Sequence, residues 1–172
     1  MKRILFYLII MLQVIVIGFL TYQFEKIDRT GHQIKIQTLS PNFPVYGDFI
    51  DGDMYVEYDI NKIQEDRWED SLPLDYHTPV FVLLQEDKTG VFRVRHASTD
   101  KIEAKNDNEF VLKGTYHYYD QERDFHYVNY GLEHIKQADQ FGTFKPRDEL
   151  IVTILIGKWG QYKVVGIDKW NE

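Results

Sequence analysis

The 172-residue chain contains no cysteine, which excludes disulfides, thiolate metal sites, thiol nucleophiles and a lipoprotein attachment point. Stability must come from a packed core. Proline and glycine are sparse, at 5 and 11, while hydrophobic residues make up 44% and aromatics 15%, so the composition is not that of a disordered polymer. Basic charge is also short, with 20 Lys and Arg against 27 Asp and Glu for a net −7. Lys2 and Arg3 precede the first apolar run, so 18 basic residues face 27 acidic ones beyond it, a balance of −9. Such a surface repels phosphate backbones and anionic head groups, and nucleic acid is not expected as a partner. No Gly-rich phosphate loop, nucleophile elbow, HExxH motif, internal repeat or low-complexity tract is present.

What the chain does have begins at residue 4. Residues 4–20 read ILFYLIIMLQVIVIGFL, uncharged and with Gln13 as the one strongly polar side chain. Extended through Phe24, the run makes about 21 helical residues, or roughly 31 Å, enough to span a hydrocarbon core. Its Ile, Leu, Val and Phe residues each contribute about −0.3 to −0.6 kcal/mol, which outweighs the cost of Gln13 and Gly18. A cleaved signal peptide shares the basic start and apolar middle, but residues 18–23 (GFLTYQ) lack an A-x-A-like site. The expectation is an uncleaved anchor through the lipid bilayer over residues 1–24, with the N-terminus cytoplasmic by virtue of Lys2 and Arg3. A short polar stalk over 25–32 and an extracytoplasmic domain over 33–172 follow.

In that domain, residues 33–39 (QIKIQTL) alternate apolar and polar, the period of a half-buried strand. Similar β-rich runs occupy 54–60, 80–85, 91–96, 109–118, 125–130, 150–156 and 162–167. Turn chemistry separates several of them, notably Glu86-Asp87-Lys88-Thr89-Gly90 and Gly157-Lys158-Trp159-Gly160, and consecutive hairpins imply antiparallel pairing. Helix is expected only in short pieces, over 61–69 and 131–138. The predicted fold is mainly β, an antiparallel sandwich or small barrel preceded by one transmembrane helix.

The stretch 47–60, GDFIDGDMYVEYDI, resembles the signature of the bacterial GDYXXLXY membrane-anchored family, in which a Gly-Asp turn enters a strand of alternating apolar and aromatic residues. Val56, Tyr58 and Ile60 fill that alternation. Residues 80–84 (VFVLL) with 87–92 (DKTGVF) are similar to the family's second hairpin, and Leu112-Lys113-Gly114 and residues 128–133 (VNYGLE) to its later landmarks. From Gly52-Asp53 to Tyr58 the spacing is one residue shorter than the family pattern. The resemblance implies an anchor, a β-rich exterior domain and association with a multi-span membrane protein, and it brings no catalytic residues.

Candidate chemistry is thin. Asp48, Asp51, Asp53 and Asp59 offer oxygen ligands suited to calcium, but the D-x-D-x-D-G order and distal Glu of an EF-hand are missing, and Asp beside Gly47 and Gly52 is ordinary turn chemistry. His117 and His126 would face each other across a two-residue Gln121-Glu122 hairpin, a register those residues suit poorly. Tyr55, Tyr58, Tyr116, Tyr118, Tyr127 and Tyr130 supply aromatic surface for a sugar or peptide, against the ordinary use of such rings in strand pairing. A Ser/Lys hydrolase of signal-peptidase type would use Ser40 with Lys163 as base, but the Ser-Met-x-Pro arrangement is absent. The reading expected is therefore a non-enzymatic, membrane-tethered accessory or interaction protein without cofactor. A metal- or glycan-binding sensor is the alternative.

Overall fold

The computed structural model describes residues 2–39, 54–69, 74–135, 142, 144–145, 147–158 and 160–170. The chain forms two compact units, one of residues 1–33 with 155–163 and the other of residues 34–154 with 164–172.

The first unit is dominated by α1 (Lys2–Thr30), whose residues Leu5–Thr30 are long and apolar enough to cross a membrane. The large apolar side chains from Leu5 to Tyr22 are between 41% and 67% exposed. The expected polar stalk is helical to residue 30. Its end is tied down: Ile27 is buried and its carbonyl accepts the Gly31 N–H at 2.8 Å. A side chain on Gly31 would bring Cβ within 2.6 Å of that oxygen and 3.3 Å of Leu155 Cβ, so only glycine fits the close approach. Lys163 Nζ meets both Asp28 carboxylate oxygens at 2.8 and 3.0 Å.

The second unit is antiparallel β. Strands are β1 (His32–Leu39), β2 (Met54–Tyr55), β3 (Glu57–Tyr58), β4 (Lys62–Gln64), β5 (Pro79–Glu86), β6 (Phe92–Ser98), β7 (Glu109–Asp120), β8 (Phe125–Asn129), β9 (His134–Ile135), β10 (Glu149–Ile156) and β11 (Tyr162–Lys169). One sheet runs in the order β11–β10–β1–β3, a small one pairs β2 with β9, and a five-stranded sheet runs β4–β8–β7–β5–β6. In β1, Ile34, Ile36 and Thr38 are buried, as the alternation predicts. β10 lies between two strands and buries Leu150 through Ile154 without alternation. The β5–β6 turn is fixed by Asp87, whose Oδ1 accepts the Thr89 and Val91 N–H groups at 2.8 and 3.1 Å, with Gly90 at φ +81°.

The five-stranded sheet nearly closes into a barrel. The segment after β4 crosses to β6, where Trp68 bridges Ala97, the Glu69 N–H donates to the Ala97 carbonyl at 3.1 Å and Arg67 donates to the Val94 carbonyl at 2.9 Å. Val80, Val82, Leu84, Ala97, Ile63, His126 and Val128 are fully buried inside it. Each large apolar side chain among them contributes about 1.5–3 kcal/mol.

The antiparallel barrel-like architecture agrees with expectation, and two local expectations fail. Residues 61–69 do not form a helix. They carry β4 between two 3₁₀ turns, Asp59–Asn61 and Glu65–Arg67, because Ile63 must reach the core while pairing with His126 of β8. In the second expected helix residues 131–133 are non-helical and lead into β9, whose Ile135 and His134 pair with Met54 and Tyr55; residues 136–141 lie outside the described residues.

Candidate functional site

A groove of about 550 Å³ opens on the β domain, lined by Leu39, Tyr55, Val56, Glu57, Tyr58, Asp59, Lys62, Tyr118, Tyr127 and Arg147. Tyr118 and Tyr127 are cross-strand partners on β7 and β8, and their rings stack 5.2 Å apart at 5°. Tyr55 stacks on His134 at 4.7 Å and 11°, again through strand pairing. Tyr55 is 43% and Tyr118 47% exposed, so both offer ring surface and hydroxyl to solvent.

The charges here are held by one another. Lys62 Nζ lies 3.2 Å from Glu57. Asp59 pairs with Arg93 at 3.1 Å, and Arg93 also reaches Asp87 at 3.4 Å. Burial pushes the Asp59 carboxyl above its usual range, and the Arg93 guanidinium only partly offsets that. Burial, with Glu57 and Glu133 nearby, pushes the Tyr127 phenol up to about 12, so it is a neutral hydrogen-bonding group at physiological pH. Among the described residues, two acidic and two basic side chains line the groove, and none of the lining residues is Ser, Thr, Cys or His. The lining offers ring surface for stacking and polar groups for hydrogen bonding.

The other sequence candidates distribute as follows. Tyr58 is fully buried and its hydroxyl donates to the Leu132 carbonyl at 3.1 Å. Tyr116 is buried, stacking obliquely on Trp68 at 5.8 Å. Tyr130 Oη donates to the Ile60 carbonyl at 2.8 Å, and burial raises its pKa far above the usual tyrosine value. Simple alternation puts Tyr116 and Tyr118 on one face, but a bulge between them sends Tyr116 inward and Tyr118 outward. His117 and His126 are also separated. Residues 121–124 make a four-residue turn, with the Glu122 and Arg123 N–H groups both donating to Asp120 Oδ1 and Asp124 at φ +57°. His126 therefore pairs with Tyr119 and is fully buried, its ring stacked on Trp68 at 4.3 Å and its Nε2 bonded to Glu65. Asp48, Asp51, Asp53 and Ser40 lie outside the described residues. Lys163 is half exposed and ion-paired with Asp28, far from the apolar surroundings a lysine base requires.

Sequence reasoning missed the polar knot behind the groove. Asn61 is fully buried; its Oδ1 accepts the Tyr58 N–H, and its Nδ2 donates to the Val128 carbonyl and Glu133 Oε1, each at 2.7 Å. Glu133 Oε1 also accepts the Tyr130 N–H at 2.8 Å. The knot ties residues 58–61 to 128–133, and all of these but Asn61 fall in stretches the family resemblance singles out. The available signal was an Asn between Ile60 and Ile63, in a run otherwise bound for the core.

No curated protein and no solved structure matches the chain. A family model described as GDYXXLXY protein matches residues 13–166, from the apolar helix to the last strand. The chain belongs to the GDYXXLXY family.

Proposed function

We propose that this protein is a non-catalytic, membrane-tethered interaction domain, held outside the cytoplasm by its N-terminal helix and docking on a multi-span membrane protein through the tyrosine groove. The carrying observation is α1: apolar side chains from Leu5 to Tyr22 lie open along its length, a surface that lipid covers at the lowest free-energy cost. Lys2 and Arg3 before the span favour a cytoplasmic N-terminus. The groove supports docking because its neutral tyrosines and mutually paired charges suit recognition without chemistry.

The test is alkaline extraction of membranes carrying the full chain, followed by photocrosslinking from position 118. Retention in the pellet and one recurrent multi-span product are expected. A mature chain that starts near residue 25 and fractionates with soluble protein would end the proposal. Tyr118 and Tyr127 also favour a second reading, a glycan platform, for which titration of neutral oligosaccharides against the Tyr118→Ala variant is the discriminating measurement.

A further inference from the structure

His117, deprived of the partner that a two-residue hairpin would give it, meets a different histidine. The bulge between Tyr116 and Tyr118 leaves His117 as the extra residue on β7, with no Cα partner across β8. The loop before β5 presents Tyr76 and His77 to the same place. The His77 and His117 rings lie 5.9 Å apart at 89°, and Tyr76 packs against both from one side, 3.8 Å from His77 and 4.8 Å from His117 by ring centroids. The Tyr76 hydroxyl is 3.3 Å from His117 Nε2.

From this geometry we propose that Tyr76, His77 and His117 form a binding site for a divalent late transition metal, zinc or copper, with the two imidazoles as principal ligands and the phenol oxygen beside them. Imidazole nitrogens suit these cations, and the rings come from two separate segments that converge only on folding. His77 adopts φ +68°, a conformation uncommon for a residue with a side chain, and this directs it to the cluster. The turn that holds it is pinned: the His77 N–H donates to the Tyr116 carbonyl at 2.8 Å, and the Thr78 N–H and hydroxyl donate to the Asp75 carbonyl at 3.0 and 2.6 Å. Tyr76 and His77 are exposed, so an ion reaches the site from solvent, and water completes its coordination. This site adjoins the tyrosine groove, since the His117 and Tyr127 rings lie 5.9 Å apart, but it uses other residues, and its failure leaves the docking proposal standing.

Isothermal titration of the full chain in detergent, stripped with chelator and titrated with zinc chloride and then copper chloride, tests it. One equivalent should bind, with affinity falling by at least about tenfold in His77→Gly and in His117→Gln, since loss of even an orienting partner costs that much. Tyr76→Phe should weaken binding less, and His32→Gln, distant in the chain, not at all. His77→Gly separates binding from folding: glycine adopts the positive φ without strain, so the thermal midpoint should hold while the site is lost. Copper electron paramagnetic resonance should show coupling to two imidazole nitrogens in the parent and to one in each variant. Affinity weaker than about 1 mM, or binding unchanged in both histidine variants, would overturn the site.

Discussion

Six tyrosines of the β domain divide into an inner set and an outer set that composition cannot tell apart. Tyr58, Tyr116 and Tyr130 turn into the fold, where the hydroxyls of Tyr58 and Tyr130 donate to backbone carbonyls of Leu132 and Ile60. Tyr55, Tyr118 and Tyr127 face the groove, stacked on ring partners, with Tyr55 and Tyr118 exposed and Tyr127 half-buried. Through those two hydroxyls Tyr58 and Tyr130 tie chain segments 74 and 70 residues apart, whereas the outer set is held at the groove by strand pairing. Substitutions should therefore cost stability in the first set and little in the second.

The largest effect is expected behind the inner set, at Asn61. Asn61→Leu removes the acceptor of the Tyr58 N–H and two donated hydrogen bonds, one of them to the almost fully buried Glu133 carboxylate. Leaving a buried charge short of donors costs about 3–5 kcal/mol. Chemical denaturation of the full chain should show a much lower midpoint with unchanged slope. A change within experimental error would mean that the knot is incidental.

Nearly as large is the effect at the barrel seam. Trp68→Ala empties the space against His126, Tyr116 and Ala97, at a cost of about 3–5 kcal/mol. Trp68→Phe should cost clearly less, because Trp68 Nε1 is buried and has no hydrogen-bond partner among the described residues, so its loss leaves nothing newly unsatisfied. Thermal melts of the two variants decide this. If phenylalanine is as damaging as alanine, the indole nitrogen has a role that packing does not explain.

The same contrast explains what was legible in the sequence. The apolar span, the strands and the Asp87–Gly90 turn depend on neighbours in the chain, so their periodicity and turn residues announce them. Asn61 and Glu133 meet across 72 residues of separation, and no local pattern carries that contact. The bulge at β7 is a single-residue insertion in the pairing, invisible to alternation, yet it sorts Tyr116 from Tyr118 and His117 from His126. For the candidate site, residue type was readable and direction was not. Direction depends on register, and register is set by the partner strand.

A smaller and paired test compares hydroxyl deletions. Tyr58→Phe removes a buried donor from the Leu132 carbonyl and should cost about 1–2 kcal/mol. Tyr118→Phe, at a half-exposed position, should stay within about 0.5 kcal/mol. Matched denaturation curves read both, and equal losses would erase the distinction between the sets.

Least disturbing at neutral pH is the response to alkali. The Tyr119 phenol donates to Asp124 at 2.5 Å and is raised to about 12 by that hydrogen bond, while Tyr127 is raised to about 12 by burial. Ionisation is thus harder in the folded chain than in the unfolded one, where tyrosine titrates near 10. A raised folded value means that the contribution to stability is fully present below about pH 10 and is lost as pH climbs toward 12. Phenolate absorbance during a pH titration should show these two hydroxyls lagging the bulk of the tyrosines. Asp124→Asn should bring Tyr119 down while leaving Tyr127 in place, because only the first depends on the carboxylate. Were both to shift together, the two raised values would share one cause, a loosening of the β7–β8 turn, and the separate accounts of hydrogen bonding and burial would fail.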